Sequence, residues 1–274
     1  MIKAKIDKYE LLGSLGMGGF SSIYKAVSGD GNIVALKKLN SHLLDNPKII
    51  DKFFHEAKIL SKLNHPNICR LLDFFAEDPD YIIIMEYIDG IDLKELMLDE
   101  PDKPLQFRQS KKIANQCLGA LQYAYEKGIL HMDIKPSNIM IDKSGNSIIM
   151  DFGIAKNIGD RSNDDAHKML SAAYSSPERF GQAGTVDIRS DIYSLGMVFY
   201  ELFSGKKPFC VTDQSEIESW HMNGIPLPVK SINSLITPEI TAAIKTALEK
   251  KPENRFKDFL EFKKAMGFEN NTDI

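Results

Sequence analysis

The hydrophobic pattern of this sequence changes period once, near Glu86–Gly90, and that change leaves few folds open. Before it, apolar residues fall in short runs bounded by turn signals. Glu10–Leu15 and Ser22–Val27 flank a glycine-rich turn, and Asn32–Leu39 follows Gly29-Asp30-Gly31, a hairpin signal. Ile68–Phe75 and Tyr81–Tyr87 complete the strand-like runs. One helical pattern interrupts them. Phe53, Ala57, Leu60 and Leu63 recur at spacings of four, three and three, which is one face of a helix. His65-Pro66-Asn67 closes it, because proline biases the preceding residue away from helical backbone. After Asp89-Gly90 the pattern is mostly helical. Ile113, Cys117, Leu121 and Tyr125 repeat every four residues, and Gly128 stands where a glycine just past a helix belongs. Ile139–Ile141 and Ser147–Met150 bracket a second hairpin at Asp142-Lys143-Ser144-Gly145-Asn146. The polar stretch Asn157–Lys168 reads as a mobile loop. Ile192, Leu195, Phe199 and Leu202 form a strongly buried helix, and further helices follow Gly205, broken by Pro208, Pro226, Pro228 and Pro252. Strands followed by helices predict an α+β fold in two parts.

The 274 residues suit one large domain or two lobes. A chain of this length buries roughly 70–75% of its unfolded surface, so its core needs no disulfide or metal. Lys plus Arg is 34 and Asp plus Glu is 38, a formal charge of −4, which gives no pull toward nucleic acid or an anionic membrane. Cys69, Cys117 and Cys210 are odd in number, far apart and never in a CxxC pair, so a reducing, cytoplasmic setting is expected. The first eight residues hold no apolar signal region, and the longest fully apolar stretch is Met197–Tyr200, so no membrane-spanning segment is expected.

The chemistry-bearing residues come in a fixed order. Gly16-Met17-Gly18-Gly19-Phe20-Ser21-Ser22-Ile23 can cover a nucleotide phosphate with backbone N–H groups, and can equally be an ordinary hairpin. Lys37 ends the apolar run Val34-Ala35-Leu36, and Glu56 lies near the apolar face of the first helix. Each is ordinarily a solvated residue; paired, they would hold the lysine toward phosphates. Then comes His131-Met132-Asp133-Ile134-Lys135-Pro136-Ser137-Asn138, with Asp151-Phe152-Gly153 beginning thirteen residues later. Pro136 forbids a regular helix, so the block lies on a loop. Asp133 can accept a hydroxyl proton, Lys135 can neutralise a transferring phosphoryl group, and Asn138 and Asp151 offer the hard oxygen ligands that Mg²⁺ demands.

Taken together, these motifs resemble the catalytic domain of eukaryotic-type (Hanks-type) serine/threonine protein kinases, from about Tyr9 to Phe268. The Leu-Gly-x-Gly-Gly pattern and Asp191-Ile192-Tyr193-Ser194-Leu195-Gly196 are similar to bacterial members. The resemblance implies a bilobal kinase fold across the whole chain. A small antiparallel-sheet N-lobe with one main helix (about 9–86) would meet a larger, mostly helical C-lobe (about 91–268) at a hinge (about 86–90). It implies ATP with Mg²⁺, or Mn²⁺ in its place, and protein substrates bearing serine or threonine, with a regulatory partner or further domains of a parent protein. Gly16 and Gly18 would lie over the phosphates, and Lys37 with Glu56 would position them. Leu15, Ile23, Ala35 and Met140 would sandwich the adenine, and would be core residues as well. Met85 would be the gatekeeper, the Glu86 carbonyl and the Ile88 backbone would meet the adenine edge, and Asp92 would hold the ribose. Leu60, Leu71, His131 and Phe152 match a stacked apolar column that joins the lobes, and Asp191 matches a buried anchor of the catalytic loop. Glu178 of Ser176-Pro177-Glu178 would pair with Arg255. Lys135 and Pro136 favour serine/threonine over tyrosine, and Ser171 stands where such kinases hold a hydroxyl near the catalytic aspartate.

Two departures stand out. Ser21 replaces the third loop glycine, and Met132 replaces the arginine that in the family binds an activation-loop phosphate. A thioether cannot, so activity without loop phosphorylation is expected; otherwise Arg179 or Arg189 would have to take the phosphate. A pseudokinase-like nucleotide-binding scaffold would be expected to lack Lys37, Asp133, Asn138 or Asp151, and all four are present. A small-molecule kinase of related fold is opposed by Lys135 and the Ser-Pro-Glu segment.

Overall fold

The computed structural model describes residues 5–77, 79–99, 103–152, 155–157, 172–180 and 186–268. It divides into two compact units, Met1–Asp89 with Asp151–Ile154, and Gly90–Met150 with Ala155–Ile274.

The first unit is a six-stranded antiparallel sheet with one long helix. Its strands are β1 (Lys5–Ile6), β2 (Tyr9–Met17), β3 (Ser21–Val27), β4 (Ile33–Leu39), β5 (Leu71–Glu77) and β6 (Asp80–Glu86), in spatial order β1-β2-β3-β4-β6-β5. The two-residue β1 has too few residues to show a period and is absent from the sequence reading. Strand β5 starts three residues after the expected Ile68. The backbone N–H of Ile68 closes a turn onto the His65 carbonyl at 3.0 Å, which holds it out of the ladder. Strand alternation sends Val34 and Leu36 to one face, into a core with Tyr9, Ala26, Ile82 and Ile84. Ala35 and Lys37 fall on the opposite face, beside Met85 and Ile83 of β6. Helix α1 (Pro47–Leu60) starts with proline at its first turn and buries Phe53, Glu56, Ala57 and Leu60. Leu63 is buried too, but it lies past the helix end, its N–H bonded to the Leu60 carbonyl.

The second unit carries two small antiparallel sheets and seven α-helices among its described residues. Strands β7 (Gly90–Asp92), β9 (Ile139–Asp142) and β10 (Ser147–Ile149) form one sheet, and β8 (Ile129–Leu130) pairs with β11 (Lys156–Asn157). Gly90 is obligatory, because a Cβ there would come within 2.0 Å of the Ile141 carbonyl oxygen. The helices are α2 (Leu93–Leu98), α3 (Phe107–Glu126), α4 (Ile188–Ser204), α5 (Gln214–Asn223), α6 (Val229–Ile232), α7 (Pro238–Ala247) and α8 (Phe259–Ala265). The expected terminator Gly128 follows α3 with φ +76°. Helix α4 is buried on nearly every face, so it forms the centre of this unit. Among the described residues, no helix is long and apolar enough to cross a membrane.

Candidate active site

Strand β4 and helix α1 bring the first charged group together. The Lys37 ammonium donates to both oxygens of Glu56, at 2.6 and 2.7 Å, and lies 3.4 Å from Asp151 Oδ1. Glu56 is buried because it shares the helix face of Phe53 and Leu60. Burial works against the charge on Lys37, but Glu56 and then Asp151 outweigh it and hold the lysine above its ordinary pKa. Burial is also the larger influence on Glu56 and lifts its carboxyl, with Lys37 opposing. Bidentate contact with one ammonium makes the ion pair the state we assign.

The glycine-rich turn joins β2 to β3, and the Gly18 N–H donates to the Ser21 carbonyl at 2.8 Å. A residue missed in the sequence holds this turn. The Asn40 side-chain amide, just past β4, donates to the carbonyls of Gly18 at 2.8 Å and Gly19 at 3.3 Å. Its oxygen accepts from Ser22 Oγ at 2.8 Å. No residue type or spacing marks such a role for an asparagine beside a strand end. None of Gly16, Gly18 and Gly19 has positive φ, and a Cβ at Gly16 or Gly19 would meet no described atom within 4 Å. Those two glycines are therefore not required by this chain's own packing.

Leu15 lies half-exposed on β2, and Ile23 on β3 faces Gly16 across the ladder. Ala35 pairs with Met85, both buried, while Glu86 ends β6 and Ile88 follows it. The Glu86 carboxylate accepts from the Arg70 N–H at 2.7 Å, and the Glu86 N–H donates to the Arg70 carbonyl at 3.0 Å. In the second unit, Asp92 and Met140 are cross-strand partners of β7 and β9. Asp92 Oδ1 already caps α2 by accepting from the Glu95 N–H at 2.8 Å.

The loop between β8 and β9 carries the remaining groups. Its Pro136–Asn138 segment is a single 3₁₀ turn. Lys135 Nζ lies 2.6 Å from Asp133 Oδ2. The Asn138 amide nitrogen donates to the same oxygen at 3.1 Å and to the Asp133 carbonyl at 2.8 Å. Two consequences follow. Asp133 Oδ1 takes no hydrogen bond from a described residue, and the Asn138 amide oxygen points away from the carboxylate. The loop is anchored from α4, because the buried Asp191 carboxylate accepts from the N–H groups of His131 at 2.7 Å and Met132 at 2.8 Å. Burial pushes the Asp191 carboxyl up, opposed first by His131 and then by these N–H donors. His131 Nδ1 accepts from the Asp133 N–H at 3.2 Å, which leaves Nε2 to donate to the Met150 carbonyl at 3.0 Å.

Asp151 and Met132 both have positive φ, +56° and +69°, uncommon for side chains of their kind. The Met132 side chain is buried, and its carbonyl accepts from Arg179 Nη1 at 2.5 Å. Arg189 pairs with Asp187 through Nε and Nη2. Glu178 and Arg255 form a buried bidentate pair at 2.8 and 2.9 Å, and Ser190 Oγ donates to Glu178 at 2.6 Å. Burial pushes the Glu178 carboxyl up, yet Arg255 outweighs it and the net direction is down. Gly153, Arg161, Ser162, Lys168 and Ser171, with most of the Asn157–Lys168 stretch, lie outside the described residues.

Each unit thus carries charged and polar groups of the kinds that phosphoryl transfer uses: the paired lysine in the first, and in the second a carboxylate with one oxygen that accepts from no described donor, beside a lysine and an amide oxygen. The protein kinase domain model matches residues 9–265. The serine/threonine-protein kinase PknB of Mycolicibacterium smegmatis is 36% identical over 268 residues, covering 94% of this chain and 42% of that protein. PknB of Mycobacterium tuberculosis is 34% identical over 268 residues, with the same coverage of 94% and 42%. A probable serine/threonine-protein kinase of Clostridium perfringens is 36% identical over 254 residues, covering 91% of this chain and 36% of its own length. This chain thus spans less than half the length of these relatives.

Proposed function

Because this chain belongs to the protein kinase family, as a domain of the serine/threonine class, we propose that it transfers the γ-phosphoryl group of ATP to serine and threonine hydroxyls of proteins. Use of ATP with a divalent cation goes with the family; that the cation is Mg²⁺, with Mn²⁺ able to replace it, is part of the proposal. The observation that carries the reading is the Asp133 carboxylate, with Lys135 and Asn138 both on Oδ2 and Oδ1 unoccupied by any described donor.

In this mechanism Asp133 Oδ1 accepts the proton of the substrate hydroxyl as its oxygen bonds to the γ-phosphorus. The bond from that phosphorus to the β–γ bridging oxygen breaks, and ADP leaves with the electron pair. Lys135 Nζ offsets the charge on the moving phosphoryl group and on Asp133. Lys37, steered by Glu56, holds the nucleotide phosphates, and the glycine turn braced by Asn40 covers them. Gly16 and Gly19 suit that role, since open space above them admits a phosphate to the backbone. The donor set fits the cation. Asp151 offers a carboxylate, and Asn138 offers an amide oxygen because its nitrogen is committed to Asp133. Two such ligands with phosphate oxygens and water suit Mg²⁺, which neutralises phosphate charge when bound. Leu15, Ile23, Ala35, Met85 and Met140, the main chain of Glu86 and Ile88, and the remaining Asp92 oxygen are assigned to the nucleoside in the same proposal. A reducing, cytoplasmic setting belongs to the same proposal and rests on Cys69, Cys117 and Cys210 being free thiols.

We further propose that no activation-loop phosphate is required. Met132 is buried and offers no charge, Arg189 is paired with Asp187, and Arg179 is turned onto a main-chain carbonyl. Asp133→Asn tests the central assignment: transfer to a protein substrate should fall by roughly 10²–10⁴, while near wild-type transfer contradicts it.

A further inference from the structure

Arg179 lies in the 3₁₀ turn Pro177–Arg179, forty-seven residues from the loop it touches. We infer that Arg179 is a positioning residue, holding the peptide that carries Asp133; the inference rests on the phosphotransfer role proposed above. The argument starts with Met132. Its φ of +69° is one that a non-glycine residue keeps only when its surroundings fix it. Asp191 fixes the near side, binding the N–H groups of His131 and Met132. The far side is the peptide joining Met132 to Asp133. Its N–H donates to His131 Nδ1 at 3.2 Å, and its carbonyl accepts from Arg179 Nη1 at 2.5 Å. That peptide is therefore gripped at both edges, and its rotation would swing the Asp133 side chain away from Lys135 and Asn138.

Charge supports the same role. The half-buried guanidinium is disfavoured by burial and favoured by the carboxylates of Asp191, Asp133 and Glu178, in that order. Methionine at position 132 supplies no charge to this loop, so the guanidinium beside it comes from the Pro177–Arg179 turn. The Pro177–Arg179 turn thereby reaches the catalytic loop through a permanent cation rather than through a phosphate.

The test compares wild type with Arg179→Ala, Arg179→Lys and, as a control, Arg108→Ala, an exposed position at the start of α3. Two readouts are taken: steady-state phosphorylation of a protein substrate, and amide hydrogen exchange across residues 131–134. The inference predicts that Arg179→Ala lowers kcat about tenfold to a hundredfold with KM for ATP within about twofold. Exchange at Met132 and Asp133 should rise, and added methylguanidinium should restore part of kcat. Arg179→Lys, which keeps the charge but not the planar fork, should fall between the two. Unchanged kcat and unchanged exchange in both variants would overturn the inference. So would a loss confined to KM for the protein substrate with unchanged exchange, which would make Arg179 a substrate-binding group. If wild type transferred no phosphate, the functional reading would fail, and the exchange comparison would still judge the grip on its own.

Discussion

Lys37 and Glu56 are each ordinary in sequence, a strand lysine and a helix glutamate. Only the shared face of Phe53, Glu56 and Leu60 makes the glutamate a buried one. Their dependence on each other gives a test with a sign. In Lys37→Met the buried Glu56 carboxyl loses the ammonium that favours its ionised form, so its pKa rises further above the ordinary carboxylate value. A carboxyl with a raised folded pKa is disfavoured above that pKa and relieved as pH falls toward its unfolded value of about 4.3. Lys37→Met should therefore lose roughly 10²–10³ in phosphotransfer, and its loss of melting temperature relative to wild type should be smaller at pH 5 than at pH 7. A variant with near wild-type rate, or with no such pH trend, would contradict the pairing. The residues of the catalytic loop were legible because their types and order are specific to one chemistry. Their geometry was not. Nothing in His131-Met132-Asp133 announces positive φ at Met132, and nothing in Ser176-Pro177-Glu178-Arg179 announces a bond to its carbonyl.

At the scale of elements, long periodic segments are legible in the sequence and short ones are not. Helices α3 and α4 stood out because their apolar stripes run for several turns. Strand β1 did not, since its pairing with β2 is a tertiary fact. The Glu178–Arg255 pair expected from the sequence forms and is buried, its arginine side chain 0% exposed. The turns that end the activation segment carry the proposal about control. Ser175 and Ser176 are buried, and the Tyr174 hydroxyl donates to Glu201 Oε2 at 2.5 Å. These three hydroxyls are poorly placed to receive a phosphate; Ser162 and Ser171 lie outside the described residues. Protein treated with phosphatase should keep its initial rate within about threefold, a shift under roughly 1 kcal/mol in barrier. A fall of about tenfold, roughly 1.4 kcal/mol, restored by rephosphorylation of the loop, would show that a phosphate is required after all.

For the whole molecule, two properties follow from groups far from the chemistry. His221 is fully buried among Phe180, Tyr193, Phe209 and Trp220, and its Nδ1 meets the Tyr193 hydroxyl at 2.8 Å. Burial, then the Lys250 ammonium, lowers its pKa from 6.5 to about 4. The unfolded chain then binds a proton between those values that the folded chain does not, so stability falls as pH drops from 6.5 toward 4. The loss amounts to on the order of 3 kcal/mol, and His221→Phe should flatten it in urea titrations across that range. An unchanged slope in His221→Phe would place the acid sensitivity elsewhere. Nucleotide binding is the second property: MgATP at about 100 times its dissociation constant should add about 2.7 kcal/mol of stability. Neither property reports turnover. The most direct measurement follows label from γ-labelled ATP into a protein substrate, with Mg²⁺, and identifies the labelled amino acid, for wild type and Asp151→Ala in parallel. The account predicts phosphoserine and phosphothreonine from wild type and a loss of roughly 10²–10³ or more for Asp151→Ala; equal labelling by the two proteins, or label on tyrosine alone, would contradict it.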